Sequence, residues 1–225
     1  MAPTPVITHP HVHELLKELH ARSLAQEANL PSPMPPRCTP EFDRIMSDKF
    51  VALDQDKCEF VYQLARAIGA KTVVEAGTSF GVSTIYLALA VAQNTSGLYT
   101  PGKVIATEYE PGKASKALEH WSRAGEDIRS VIDLRVGDLL ETLTNDLGIV
   151  DLLLLDIWAP LALPTLKLVQ PNMRRGAVII VDNTLDSYLG YGDLFEYVDS
   201  LGSGFQRVTL PYSKGLDFIV YEPRM

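Results

Sequence analysis

Residues 71–83 read Lys71-Thr-Val-Val-Glu-Ala-Gly-Thr-Ser-Phe-Gly-Val-Ser83, and no other part of the chain says more about its architecture. The first half is a short apolar run, which predicts a buried strand over residues 71–77. A glycine-containing turn follows, and the apolar residues after it predict a helix over 82–92. A strand that ends at a glycine and leads directly into a helix is typical of a ligand-binding α/β sheet.

The same alternation of strand and helix continues to about residue 182. Further strands are predicted at 103–108, 132–136, 151–156 and 176–182, with helices at 113–124, 139–147 and 161–169 between them. Apolar runs without polar alternation indicate strands covered on both faces, as in parallel sheets. A final pair of strands, 205–210 and 216–221, reads as an antiparallel hairpin. We therefore predict a doubly wound, mostly parallel seven-stranded α/β sheet with an antiparallel C-terminal hairpin.

Residues 1–40 differ from the predicted main domain, 41–225. Apolar residues at helical spacing form one stripe, and a proline-rich passage follows over 31–40, which predicts an extended linker. The stripe consists of Val12, Leu15, Leu16, Leu19 and Leu24. We expect this helical arm to dock either on the main domain or on a second subunit, which would make a homodimer.

Three histidines, His9, His11 and His13, lie at the start of the arm. Their place in a proline-containing terminus favours a solvated segment over a metal site. A weaker hypothesis is that the arm folds over the substrate mouth and supplies a histidine base.

Composition excludes several classes of protein. The chain has 225 residues and a formal charge of −8, which argues against a nucleic-acid-binding surface. No apolar stretch is long enough to span a membrane, and the first residues do not resemble a secretory signal, so we expect a cytoplasmic protein. The two cysteines, Cys38 and Cys58, are expected to be reduced thiols.

Charged residues and glycines end the predicted strands, where parallel sheets bind ligands. The first turn has the spacing Gly77-x-x-x-Gly81, not the G-x-G-x-x-G of a dinucleotide fold. Glu75 suits a ligand with an ammonium group, Glu108 suits the two hydroxyls of a ribose, and Asp138 suits an exocyclic amine. The alternative for the glycines is a plain tight turn without a ligand. The alternative for Glu108 is a solvated strand end.

Oxygen-bearing side chains end the next two strands. Asp156, Asp182 and Asn183 would converge at one edge and suit a hard cation that keeps some waters, Mg²⁺ in particular. Asp182 and Asn183 could instead cap a turn. Asp156 makes that alternative less attractive, because a carboxylate that closes a strand of leucines is costly without a partner.

Five motifs, taken in order, resemble a known family. They are E-A-G-T-S-F-G-V-S (75–83), A-T-E (106–108), V-G-D (136–138), L-L-D-I-W (154–158) and V-D-N-T-L (181–185). The chain over about 45–222 is similar to the class I S-adenosylmethionine-dependent O-methyltransferases, which have a Rossmann-like fold. It resembles most the cation-dependent branch that includes the catechol and caffeoyl-CoA enzymes.

The resemblance implies a role for each matching position. Residues expected to bind S-adenosylmethionine are Val51, Leu53, Glu75, Gly77, Thr78, Ser79, Ser83, Glu108, Asp138 and Asp156. Glu75 and Gly77 would hold the methionine end, Glu108 the ribose, and Asp138 would lie near the adenine. Asp156, Asp182 and Asn183 would bind Mg²⁺ or another divalent cation.

The catalytic residues that the resemblance implies are Asp156, Trp158 and Asp217. Trp158 would be an aromatic gatekeeper, and Asp217 would accept the second hydroxyl of the substrate. The family's general base is a lysine three positions after the first metal aspartate, where this chain has Ala159. Lys214 could replace it, the metal and water could suffice, or transfer activity could be lost.

The predicted function is cation-dependent methyl transfer from S-adenosylmethionine to a hydroxyl of a small, catechol-like aromatic diol. A cofactor-binding protein with a degenerate site is the non-enzymatic alternative, since Ala159 replaces the usual base. An NAD(P)-dependent oxidoreductase is a further alternative, which the missing dinucleotide turn opposes.

Overall fold

The computed structural model describes residues 4–35 and 39–223 of the chain. The strands are Thr72–Ala76 (β1), Lys103–Glu108 (β2), Ile132–Val136 (β3), Val150–Leu155 (β4), Met173–Asp182 (β5), Phe205–Leu210 (β6) and Leu216–Tyr221 (β7). The helices are Pro10–Glu27 (α1), Pro40–Met46 (α2), Gln55–Ala67 (α3), Val82–Thr95 (α4), Pro111–Ala124 (α5), Glu126–Arg129 (α6), Leu139–Thr142 (α7), Ala159–Val169 (α8) and Gly192–Asp199 (α9).

The strands form one sheet in the order β3-β2-β1-β4-β5-β7-β6. The first five are parallel, and β7 runs antiparallel between β5 and β6. This confirms the predicted doubly wound seven-stranded sheet with its C-terminal hairpin. The chain order reverses between β1 and β4, so the turns after these two strands diverge and leave a crevice at the carboxyl edge.

Helices cover both faces of the sheet. Along β4, Leu152 and Leu154 belong to a core shared with helices α1, α3, α4 and α5, whereas Leu153 and Leu155 belong to a core under α8 and α9. This two-residue alternation follows from strand geometry, and it explains why a strand of leucines is buried on both faces.

The N-terminal arm packs on its own chain. Val12, Leu15, Leu16 and Leu19 are buried against the core that contains α4 and α5, whereas Leu24 is 64% exposed. The apolar face of α1 therefore has a covering surface without a second subunit, and it gives the predicted homodimer no support. Of the predicted linker, residues 31–35 have no regular secondary structure and 36–38 lie outside the described residues.

The structure describes one of the two cysteines and the lengths of the helices. Cys58 is a buried free thiol, and Cys38 falls in the gap at 36–38. Within residues 4–35 and 39–223, no helix is both long and apolar enough to cross a membrane.

Candidate active site

The turn between β1 and α4 lies directly against the end of β4. Gly77 has a φ of +94°, and a Cβ added there would lie 2.0 Å from the carbonyl oxygen of Asp156. The Asp156 amide in turn donates to the carbonyl of Ala76 at 3.0 Å. Only glycine fits this backbone conformation and this close approach. The turn that the sequence singled out and the first predicted metal residue are therefore direct neighbours.

Glu75 anchors the first turn of α4. Its buried carboxylate accepts hydrogen bonds from the hydroxyls of Thr78 (2.8 Å), Ser83 (2.6 Å) and Thr84 (2.5 Å). Burial raises the pKa of Glu75, and these three hydroxyl donors oppose the rise. The sequence predicted that Glu75 would hold an ammonium group. Its carboxylate is instead enclosed, so Thr78 and Ser83 are the groups of this cluster that face the neighbouring hollow.

Glu108 ends β2 beside the same turn. Its carboxylate accepts hydrogen bonds from the amides of Ser79 at 2.6 Å and Glu110 at 2.8 Å. Asp138, predicted to lie near an adenine, is exposed and caps α7 by accepting from the Leu140 amide at 2.8 Å. Glu108 thus lies at the glycine turn, while Asp138 lies at the open end of β3.

A hollow at the carboxyl edge of the sheet brings most of the predicted cofactor residues together. Its lining includes Val51, Leu53, Gly77, Thr78, Ser79, Ser83 and Asp156. The N-terminus of α4, whose first amides have no partner within the helix, suits a carboxylate ligand. A carboxylate beside the turn, at Glu108, suits sugar hydroxyls. These residues fit an aminoacyl nucleoside such as S-adenosylmethionine.

The C-terminal half of α1 braces one wall of the hollow. The Ala52 amide donates to the Ser23 hydroxyl at 2.9 Å, and the Phe50 amide donates to the Gln26 side-chain oxygen at 3.0 Å. Ser79 donates to the carbonyl of Val51 at 3.4 Å. The sequence reasoning missed this contact, because nothing in the arm indicates which segment it reaches.

Asp156 and Asp182 interact at the rim beyond the hollow. Burial, with the charges of Asp182 and Glu75, raises the pKa of Asp156 well above its usual range. Burial also raises the pKa of Asp182, and Lys57 opposes this rise. The structure therefore brings the two predicted metal aspartates into one electrostatic cluster.

Lys57 pairs with one of the two aspartates of this cluster, Asp182. Its ammonium lies 2.6 Å from Oδ1 of Asp182 and 3.3 Å from Asp54, and the Asn183 amide donates to Oδ2 of Asp182 at 2.5 Å. Burial lowers the pKa of Lys57, but Asp182 and Asp54 together raise it above its ordinary value. Both oxygens of Asp182 thus have donors already.

The predicted divalent-cation site does not fit this donor arrangement. A cation bound to Asp182 would have to displace an ammonium and reorient the Asn183 amide. The sequence analysis did not identify Lys57, although its spacing indicates a buried lysine. Lys57, Val61 and Ala65 are four residues apart in turn and therefore lie on the same, buried face of α3.

Asp217 does not present a free carboxylate to a substrate. It is fully buried, accepts from Thr184 at 2.9 Å and pairs with Arg207 at 2.8 Å. Arg207 also pairs with Asp199 and lies over the Phe195 ring. The role predicted for Asp217 stays a prediction, and this ion pair argues against it.

The other predicted catalytic residues lie at the rim. Trp158 is 38% exposed, and its ring packs edge-on against the Phe42 ring with 5.1 Å between the ring centroids. Lys214 is exposed in the β6–β7 turn, and its carbonyl accepts from the Leu185 amide at 2.9 Å, close to Asn183. At the missing base, Ala159 packs against the turn Tyr188–Tyr191: a Cβ added at Gly190 would lie 2.9 Å from that of Ala159.

The N-terminal histidines lie far from this rim. His11 contacts the carbonyl of Ala124 at 3.1 Å, at the end of α5 that leads back towards the amino edge of the sheet. Helix α1 has 18 residues, so it is about 27 Å long, and only its other end reaches residues 50–52. This placement of His11 argues against the hypothesis of a histidine base over the substrate mouth.

Comparisons with known proteins show what this chain is similar to. Residues 74–184 match the family model described as "Methyltransferase domain". A catechol O-methyltransferase of Mycobacterium tuberculosis is 35% identical over 136 residues, which is 60% of this chain and 58% of that relative. One from Niastella koreensis is 29% identical over 139 residues, 60% of this chain and 59% of the relative. The alignments thus span less than two thirds of these relatives.

Solved structures show the same fold over nearly the whole chain. A cofactor-bound protein from M. tuberculosis superposes with a TM-score of 0.71 at 24% identity, covering 98% of this chain and 94% of the other. An O-methyltransferase from Bacillus cereus in complex with SAH superposes with a TM-score of 0.67 at 20% identity, covering 97% and 93%.

Proposed function

We propose that this chain, whose residues 74–184 match a methyltransferase-domain model, transfers a methyl group from S-adenosylmethionine to a hydroxyl of a small aromatic diol. The substrate class rests on the two relatives named as catechol O-methyltransferases. The exposed Trp158 at the rim also favours a flat aromatic ligand.

One observation carries the proposal: the hollow between the β1–α4 turn and residues 51–53, with Glu108 beside it. Seven residues predicted to bind the cofactor line this hollow. These residues come from distant parts of the sequence, and the first amides of α4 have no partner within the helix, so an amino-acid carboxylate can accept hydrogen bonds from them.

The chain's own residues would orient the reaction. S-adenosylmethionine, when bound, supplies a methyl group on a positively charged sulfur. Glu108 would hold the ribose, the α4 N-terminus with Ser83 would hold the carboxylate, and Trp158 would limit the tilt of an aromatic ring. Holding two reactants in line removes much of the entropic cost of their encounter.

Loss of the substrate proton has no assigned base in this chain. A general base contributes about 10²–10⁴-fold, so Ala159 would slow the reaction without preventing it. Lys214 remains our candidate replacement, because its turn lies against the loop that follows Asn183. The proposal does not include the cation that the resemblance implies at Asp156, Asp182 and Asn183. Lys57 and Asn183 already donate hydrogen bonds to the two carboxylate oxygens of Asp182.

Calorimetric titration with S-adenosylhomocysteine tests the cofactor site. Glu108→Gln should weaken binding by about tenfold or more, because hydrogen bonds to a charged acceptor are worth roughly 1.5–3 kcal/mol. Glu119→Gln, an exposed glutamate on α5, is the matched control and should bind like the wild type. The proposal fails if the wild type does not bind this ligand.

Transfer itself is tested with S-adenosylmethionine labelled in the methyl group and a panel of catechols. Labelled methyl ether is the expected product, and Glu108→Gln should lower kcat/KM. Cofactor binding without any transfer would instead identify a cofactor-binding protein with a degenerate site.

A further inference from the structure

A buried lysine lies where the sequence predicts a metal ion. Lys57 is 1% exposed, and its ammonium lies 2.6 Å from Asp182 and 3.3 Å from Asp54. An ammonium is rarely buried this deeply unless it is paired with carboxylates. The pairing explains why α3, an amphipathic helix, has a lysine on its buried face.

The charges around Lys57 belong to four elements of the fold. Asp54 precedes α3, Asp156 follows β4, Asp182 ends β5 and Glu75 lies within β1. Three serine and threonine hydroxyls stabilise Glu75, whereas Asp182 depends on Lys57 and Asn183. Lys57 is the cation paired with Asp182 in this cluster, at 2.6 Å.

We propose that the Lys57 ammonium takes the place of a divalent cation at this rim and supplies its fixed positive charge. This inference rests on the proposed methyl transfer, which would then proceed without a bound metal. Lys57 acts through Asp182 and Asp54 and is a positioning residue: it holds both carboxylates in place beside the hollow.

Two features of the chain support the exchange of a metal for a lysine. A divalent ion on Asp182 would be repelled by the ammonium on the same carboxylate, so the two cations exclude each other. The family lysine that would accompany a metal is also replaced, by Ala159, and the turn Tyr188–Tyr191 packs against that alanine. Both changes fall on one rim of the sheet.

Binding of Mn²⁺, followed by electron paramagnetic resonance and calorimetry, tests the proposal without any need for turnover. The wild type should not bind Mn²⁺ at this rim. Lys57→Gln removes the ammonium and leaves Asp156, Asp182 and Asn183 as oxygen donors, so it should gain a Mn²⁺ site at least about tenfold tighter than any non-specific binding by the wild type. Lys57→Arg keeps the charge and should not gain binding.

Control variants separate this site from other effects. Lys116→Gln removes an exposed lysine and should not change Mn²⁺ binding. Lys57→Gln/Asp182→Asn should lose whatever binding Lys57→Gln gains. If Lys57→Gln does not fold, Lys57→Met keeps the volume of the aliphatic stem and serves in its place.

Two results would overturn the proposal. One is Mn²⁺ bound by the wild type and lost in Asp182→Asn; the other is a folded Lys57 variant that gains no binding. Methyl transfer by the wild type that is unchanged by EDTA would agree with the proposal. A wild type that binds no cofactor would refute the proposed function instead, while the Mn²⁺ results would still decide the role of Lys57.

Discussion

At the residue scale, the β1–α4 turn depends on Gly77 for two separate reasons. Its φ of +94° is unfavourable for other residues, and its missing side chain lets the chain pass the carbonyl of Asp156. Gly97 also has a positive φ, +78°, but nothing lies within 4 Å of a Cβ added there. Substitutions at Gly97 would therefore cause backbone strain alone, whereas substitutions at Gly77 would cause strain and a steric clash.

Gly77→Ala should lower the free energy of unfolding by about 3 kcal/mol or more, because the new methyl group adds a clash to the strain. Gly97→Ala should cost only about 1–2 kcal/mol, the strain alone. Denaturant unfolding followed by circular dichroism measures both values. Equal losses for the two variants would contradict the close approach of Gly77 to Asp156.

His20 is a second residue whose environment predicts a measurable effect. It is buried 3.0 Å from the Tyr86 hydroxyl, and burial lowers its pKa. Because the folded protein holds this histidine neutral, the unfolded chain binds more protons below pH of about 6.5, its ordinary pKa. Stability that is fully present above that pH should therefore fall as the pH drops.

Unfolding free energies measured from pH 7 to pH 5 test this prediction. His20→Gln keeps a polar partner for Tyr86 but cannot titrate in this range, so its stability should depend less steeply on pH. A slope as steep as that of the wild type would show that other groups cause the pH dependence.

At the scale of elements, α1 is both a packing helix and a support for the cofactor hollow. Its N-terminal half buries the apolar stripe, and its C-terminal half accepts hydrogen bonds from the amides of Phe50 and Ala52. A buried amide that loses its acceptor costs about 1–3 kcal/mol. Substitutions in the C-terminal half of α1 that remove these acceptors should therefore disorder the wall of the hollow at Val51 and Leu53.

Gln26→Ala should weaken binding of S-adenosylhomocysteine about threefold to tenfold, because the Phe50 amide loses its partner and the segment at Val51 becomes less ordered. Calorimetry measures the change. Lys17→Ala, on the exposed face of α1, is the control and should bind normally. Unchanged affinity in Gln26→Ala would mean that the arm does not support the cofactor site.

The helix predicted over 139–147 is shorter in the structure, because the backbone after Thr142 is not helical. Leu143 and Leu147 are spaced like residues of a helix, yet α7 ends at Thr142. Both leucines are buried through a loop in which Asp146 (φ +56°) and Gly148 (φ +67°) adopt left-handed conformations. Periodicity reports which side chains are buried, and a loop that returns to the core satisfies it equally well.

At the scale of the whole molecule, the arm covers one side of the main domain. Deletion of residues 1–28 would uncover the apolar surface of α4 and α5 that Val12, Leu15, Leu16 and Leu19 bury. Burial of one such side chain is worth about 1.5–3 kcal/mol, so the truncated chain should be several kcal/mol less stable.

The truncated chain should also self-associate, because large exposed apolar patches promote contacts between copies. Size-exclusion chromatography with light scattering measures this at several concentrations, with the full-length chain as the control. A truncated protein that keeps the mass and stability of the full chain would contradict the packing of α1.

The sequence alone determined the sheet and the strand ends at which several candidate site residues lie. Strands β2, β3, β6 and β7 have the predicted bounds, because apolar runs and glycine turns are local signals. Glu108 and Gly77 were likewise found from motifs and strand ends, whereas Val51 and Leu53 were expected only from the family resemblance. In a parallel sheet the carboxyl ends share one edge, so position in the sequence was sufficient to place Glu108 and Gly77.

Only the tertiary structure decided which partners these side chains have. Lys57 and Asp182 are 125 positions apart, and Arg207 reaches Asp217 across the hairpin and Asp199 on α9. Whether a carboxylate binds a metal, an ammonium or a guanidinium depends on which elements pack against it. Local sequence patterns do not contain that information, because the energy of a buried charge depends on neighbours that folding brings from distant parts of the chain.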